Sequence, residues 1–277
     1  MTSVGRPSQA IYRRRRIAAL AVAAAIVVAI VLAIRGGGGS DGTPATAEQL
    51  RAEALAEAPV ELQVSLSGDL LIHSPVYAQA LALGGGERYD FQPMLRELRP
   101  YVNGVDLAIC HVETPISAHA PPSGYPIFNA PPELAGAIAA TGWDACDTAS
   151  NHTLDLGQDG VEGTIRSLRR AGVAHTGSFA SRRAQREPLV LEVEGARIGL
   201  VSYTTDTNGI PLPEPYSVNV ATGPGPVIAD ARRAREAGAD AVIVTMAWGS
   251  EIAPEYSPES SPEVRRFARR LLAAPEI

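Results

Sequence analysis

The sequence predicts an α/β domain on a largely parallel sheet, preceded by one membrane-crossing segment. Three observations lead there. Strand-like and helix-like segments alternate through the second half of the chain, the order that parallel βα units produce. A unit recurs at residues 104, 142 and 239: a helix end, Gly or Ala, then Asp, a short apolar run, then polar groups. Residues 17–34 run for 18 positions without a charge, directly after Arg13-Arg14-Arg15-Arg16.

That apolar run, at about 1.5 Å per residue, spans roughly 27 Å, enough to cross a bilayer core. The arginines before it place residues 1–16 in the cytoplasm and the main domain outside the cell membrane. A cleaved signal peptide is the competing reading, with Val31-Leu32-Ala33 as a weak processing site, but its apolar region is usually only about 7–15 residues. We therefore expect an uncleaved single-pass signal anchor. Residues 35–58 form a linker, glycine-rich at first and then a short helix or stalk over 47–58. The folded domain occupies residues 59–277.

Within that domain, Val60–Ser67 alternates like a strand and leads into Gly68-Asp69-Leu70-Leu71-Ile72-His73. Residues 91–98 suggest a helix. A second strand over 104–110 delivers His111-Val112-Glu113-Thr114-Pro115. A proline-rich loop, 120–132, precedes a helix over 131–140. A third strand, 142–147, ends before Thr148-Ala149-Ser150-Asn151-His152-Thr153, and Val161, Ile165 and Leu168 then fall at helical spacing over 157–171. A short strand at 172–177 follows. Residues 189–193 and 197–203 flank Glu194-Gly195-Ala196 as a hairpin. A long loop, 204–226, precedes a helix at 227–237, a buried strand at 240–246 and a last helix at 261–274.

The formal net charge is −6, and its distribution is uneven. Residues 1–35 hold six Arg and no acid, whereas the remainder sets 18 Arg against 30 acids. An acidic main domain argues against a nucleic-acid partner. All the basic residues are Arg, which says little about chemistry. Two cysteines are too few for a disulfide scaffold. Cys110 and Cys146 are expected as small buried thiols, with a disulfide as the alternative outside the cytoplasm.

In an open α/β sheet, ligands bind beyond the carboxyl ends of the strands. Asp69, His111, Glu113, Asn151 and His152 should therefore converge on one edge. Carboxylate, amide and imidazole donors suit Mn²⁺, Fe²⁺ or Zn²⁺, and two such ions clamp a phosphoryl group and activate water. Asp69, His111, Glu113 and Asn151 are the candidate metal ligands. His152 and His73 are the candidate proton carriers. Each residue alone has an ordinary explanation, such as Asp69 capping a turn or His73 packing in a loop; together at strand ends they read as a site. Asn151-His152-Thr153 also matches a glycosylation acceptor, disfavoured by its place in the crevice. His119 and His175 are less informative.

These residues carry a resemblance. The stretches 68–73, 108–115 and 149–157, with Tyr125-Pro126-Ile127-Phe128-Asn129-Ala130-Pro131-Pro132, Ser202-Tyr203-Thr204, Thr207-Asn208-Gly209-Ile210-Pro211 and Trp248-Gly249-Ser250-Glu251, resemble the bacterial CapA family of capsule or poly-γ-glutamate biosynthesis proteins. The resemblance implies a metallophosphoesterase-like α/β/β/α sandwich, with Asp69, Glu113 and Asn151 as metal ligands and His152 as the acid. Three departures stand out. His111 replaces a frequent Asn, and Ala247 stands where a His commonly precedes Trp-Gly. The family also continues past the last helix into a histidine-rich segment, whereas this chain ends at Ile277, so the sequence looks truncated. The expectation is therefore weak or absent divalent metal binding.

The resemblance points to a membrane-anchored protein of capsule or poly-γ-glutamate synthesis or export. Synthase subunits or an anionic polymer are the implied partners. A metal-dependent phosphoesterase acting on an envelope phosphate ester and a metal-free scaffold are the rival readings. The acidic charge weighs against polyanion binding unless arginines such as Arg166, Arg169, Arg170, Arg182, Arg183 and Arg186 offset it. A solvated helix face and loop explain those six equally well.

Overall fold

The computed structural model describes residues 60–248 and 261–277. The expected membrane segment at 17–34, the stalk, and Gly249, Ser250 and Glu251 lie outside the described residues. Among the described residues no helix is long and apolar enough to cross a membrane.

The elements run β1 (Val64–Asp69), α1 (Ser74–Leu83), α2 (Gln92–Leu95), a 3₁₀ turn (Arg96–Leu98), α3 (Arg99–Val102), β2 (Leu107–His111), α4 (Glu133–Thr141), β3 (Ala145–Asp147), α5 (Gly157–Ala171) and β4 (Ala174–Thr176). They continue with α6 (Arg182–Arg186), β5 (Leu189–Val193), β6 (Ala196–Thr204), α7 (Pro224–Glu236), β7 (Ala241–Ala247) and α8 (Pro262–Leu272). Most expected elements appear with their ends shifted by a few residues. The helix expected over 91–98 forms as two single turns and a 3₁₀ turn that run on to Val102; Pro100 lacks the amide that a continuous helix would donate to Arg96. Helix α1 was not anticipated from the sequence; Pro75 sits in its first turn.

The strands form two sheets, where the alternation alone suggests one and the sandwich resemblance implies two. In the first, β1-β2-β3-β4 are all parallel. In the second, β5 pairs antiparallel with β6, and β6 parallel with β7. The hairpin was expected as an addition to the parallel sheet; it instead founds the second one. Its turn needs two residues at positive φ, supplied by Glu194 (50°) and Gly195 (88°), which matches the twist of the flanking strands.

Helices cover one face of each sheet. Cys110 and Cys146 pack beneath Leu134, Ile138 and Leu168 of α4 and α5. Val201, Tyr203 and Val242 of the second sheet pack beneath Val227, Ala231 and Ala234 of α7 and Leu271 of α8. Between the sheets, Ser202 Oγ donates to Asp147 Oδ1 at 3.3 Å. Gly177 (φ 108°) lets the end of β4 close on this junction, since a Cβ there would lie 2.7 Å from Ala149 N and 2.8 Å from Ser202 Oγ.

The aspartate of the recurring unit has a structural purpose. Asp106, Asp144 and Asp240 each accept the backbone N–H at the start of a neighbouring strand: from Gln63 at 2.8 Å, Ala108 at 2.8 Å and Arg197 at 2.7 Å. One carboxylate per crossover thus aligns adjacent strands and satisfies an amide that the ladder has not yet reached.

The expectation of two free thiols is corrected. Cys110 and Cys146 form a disulfide, because the parallel register sets them side by side on adjacent strands with their Cα atoms 4.4 Å apart. The crosslink closes a loop of 36 residues, for which chain entropy gives about 3–4 kcal/mol. Replacing both cysteines with Ala should lower the unfolding free energy by roughly that amount, read from urea unfolding with the slope, which should rise as the unfolded chain expands, fitted for each form.

His175 lies beside Cys146 in the register, on the helix-covered face, and its Nδ1 has no hydrogen-bond partner. Burial, reinforced by the charge of Arg169, lowers its pKa to about 4 from 6.5. The folded state thus keeps a neutral ring that the unfolded chain protonates below pH 6.5. Stability from this group is complete above that value and falls as pH drops toward 4, by up to about 3 kcal/mol. A His175→Gln variant should lose less stability between pH 7 and pH 4.5 than the parent, measured by denaturant unfolding at both pH values.

Candidate functional site

The first sheet's pleat determines what meets at its edge. Asp69, His111 and Asp147 are register partners at the carboxyl ends of β1, β2 and β3, so their side chains share one face. His111 Nδ1 stands 2.5 Å from Asp147 Oδ1, and its Nε2 stands 3.9 Å from Asp69 Oδ1. The Asp147 side chain is 5 % exposed, whereas that of Asp69 is 66 % exposed. The imidazole thus bridges a buried carboxylate and a solvated one. Burial disfavours its charge, but the hydrogen bond and charge of Asp147, with Asp69 and Glu113, outweigh that and raise its pKa. Glu113 is itself buried, two residues beyond β2.

A second group forms on the loop after β3. His152 is buried, and its Nδ1 donates to Asp155 Oδ2 at 2.9 Å. The same carboxylate oxygen accepts the backbone N–H of Phe128 at 2.7 Å. Asp155 therefore fixes both the ring of His152 and the segment that carries Phe128. The Phe128 ring lies between two imidazoles, edge-on to His152 at 4.7 Å and to His73 at 4.9 Å. His73 caps the start of α1 and is exposed. Asn208, from the loop after β6, brings its Nδ2 to 3.4 and 3.5 Å from the two ring nitrogens of His152. Its Oδ1 accepts from Asn151 Nδ2 at 3.3 Å.

All six residues singled out in the sequence thus sit at or just beyond the ends of β1, β2 and β3, in two sets. Asp69 and His111 join in one, with Glu113 acting on it through charge. Asn151, His152 and His73 join in the other. Four contributors were not singled out: Asp147, Asp155, Phe128 and Asn208. Asp147 was detectable in principle, as the polar end of an apolar strand in register with His111. Asn208 was not, because only the fold brings its loop back to His152.

Among the described residues no group of three or more His, Cys, Asp or Glu stands where it could hold one ion. His111 spends Nδ1 on Asp147, Asn151 is turned to Asn208, and Ala247 at the end of β7 offers no donor. What the arrangement can do with its own atoms is hold an imidazole in one orientation. With His152 Nδ1 committed to Asp155, proton exchange with a ligand falls to Nε2.

The arginines weighed as either a polyanion cluster or a solvated face divide. Arg166 pairs with Glu162 and also contacts His119. Arg169 acts on His175. Arg182, Arg183 and Arg186 are exposed on α6.

Comparison with known proteins places the chain. The family model described as bacterial capsule synthesis protein PGA_cap matches residues 63–275. Proteins named probable polyglutamine synthesis accessory protein, from two strains of Mycobacterium tuberculosis, are 27 % identical over 187 residues, covering 61 % of this chain and 47 % of their own. An uncharacterized protein of Sinorhizobium fredii is 34 % identical over 74 residues, 27 % of this chain and 16 % of its own. The chain thus spans about half the length, or less, of the curated relatives it matches. With the family model covering both sheets and the whole strand-end cluster, the chain belongs to the bacterial capsule synthesis protein family.

Proposed function

We propose that the chain acts in the synthesis or export of a glutamate-based capsule polymer. In this reading residues 17–34 anchor it in the cell membrane, and the folded domain stands outside. The observation that carries the reading is the family match across residues 63–275, the stretch that forms both sheets. The mycobacterial relatives' name, probable polyglutamine synthesis accessory protein, supports it. We read the two face-packed sheets with helices outside as the metallophosphoesterase-like sandwich that the sequence motifs imply. In the bacterium that encodes this chain, deleting its gene should lower surface polymer several-fold, and the full chain should restore it. Unchanged polymer in the deletion strain would remove the reading.

Phosphate-ester hydrolysis is the second reading, favoured by the His152–Asp155 pair and the Asp69–His111–Asp147 row. A metal would supply Lewis acidity in such chemistry, but the donors present do not form its cradle, so no catalytic step is assigned to it. Divalent metal binding at Asp69, His111, Glu113 and Asn151 is proposed as weak. Purified chain equilibrated with Mn²⁺ and desalted should retain well under one ion per chain, and its phosphodiesterase rate should be unaffected by His152→Ala. One tightly held ion, with a rate that this variant abolishes, would establish the enzyme reading instead.

A further inference from the structure

Helix α8 carries a surface that neither the core nor the strand-end cluster uses. Its apolar side is fastened down: Phe267 and Leu271 join the core beneath the second sheet, and Trp248 meets the Phe267 ring edge-on at 5.6 Å. Its outer side exposes Arg265, Arg266, Arg269 and Arg270. Arg266 pairs with Glu263 at 2.7 Å, whereas Arg265, Arg269 and Arg270 have no ion pair among the described residues.

Ordinary helix energetics do not explain this face. Arg265 and Arg269, like Arg266 and Arg270, are like charges at i, i+4, an arrangement that costs helix stability. The helix dipole favours cations in the last turn, which suits Arg269 and Arg270, but disfavours them near the first, where Arg265 stands. The chain has 30 acidic residues against 24 arginines, yet α8 places one Glu among four Arg. A solvated face would ordinarily mix signs. This one concentrates charge on a helix that packing holds in place.

Rows of guanidinium groups four residues apart are separated by about 6 Å along the axis. A flexible polymer with a carboxylate on every residue can set successive carboxylates against such rows, each fork of donors meeting two oxygens. We propose that the arginine face of α8 is the docking surface for an acidic polymer, the glutamate polymer of the reading above, on which this inference rests. The site is electrostatic and tolerant of sequence, separate from the strand-end cluster, and gives the acidic domain one place where a polyanion is attracted.

The test uses the full 277-residue chain in an uncharged detergent with fluorescein-labelled poly-γ-glutamate, followed by anisotropy at low and moderate salt. The parent should bind, more weakly as salt rises. The triple variant R265E/R269E/R270E should bind roughly tenfold more weakly or worse. A charge-matched control, R182E/R183E/R186E on α6, should bind like the parent, which separates a local surface from net charge. Equal loss in both variants, or none in the α8 variant, overturns the inference while leaving the capsule reading to the deletion strain. Failure of the parent to bind overturns it as well. Phosphatidylglycerol vesicles that bind the parent and lose the α8 variant, while the polymer binds both, would overturn it in favour of a membrane surface.

Discussion

Parallel pairing of β1, β2 and β3, with a register shift in β1 between Leu66 and Asp69 that sets Asp69 opposite His111, is the constraint from which the rest follows. Residues opposite one another on parallel strands share a face, so Asp69, His111 and Asp147 form a row by backbone hydrogen bonding alone. A slip of one residue would turn each side chain to the opposite face and put cysteines where the imidazole stands. The register is held at the other end of the strands by Asp106 and Asp144, each taking an amide from its neighbour. The Cys110–Cys146 crosslink holds it one residue before the row. The site's geometry is thus enforced from three sides.

The same pleat divides the chemistry between faces. One carries His111 and Asp147 toward the second sheet, where Ser202 reaches Asp147. The other carries the disulfide and His175 into the helix-covered core. The two histidines respond to burial in opposite ways for a plain reason. His111 is partly buried beside carboxylates, which stabilise its charge, and His175 is partly buried beside Arg169, which does not. A single sheet therefore holds one imidazole biased toward its charged form and another kept neutral.

Around this frame the loops supply what the strands cannot. Asp155 ties His152 to the Phe128 segment, and Asn208 comes from the loop after β6 to meet His152 and Asn151. Two of the residues that meet His152, Phe128 and Asn208, lie 24 and 56 positions away in sequence. The arginines of α8 have their own logic: packing anchors the helix, and Arg265, Arg269 and Arg270 have no ion pair among the described residues.

Much of the fold was legible in the residues themselves. The alternation of apolar runs with helical spacing located β2, β3, α5 and the β5–β6 hairpin, and Gly157–Ala171 matches its expected bounds, because these signals are local and periodic. The placing of Asp69, His111, Glu113, Asn151 and His152 near strand ends was legible for the same reason. Three things were decided only in three dimensions. Whether the hairpin joins the first sheet or starts a second depends on which strand edges remain open. Whether Cys110 and Cys146 bond depends on a register that periodicity does not encode. And whether the strand-end donors form one cradle or two separate sets depends on which partners, Asp147, Asp155 or Asn208, the fold brings within hydrogen-bonding reach. Local sequence determines what a segment presents, and long-range pairing determines what it meets.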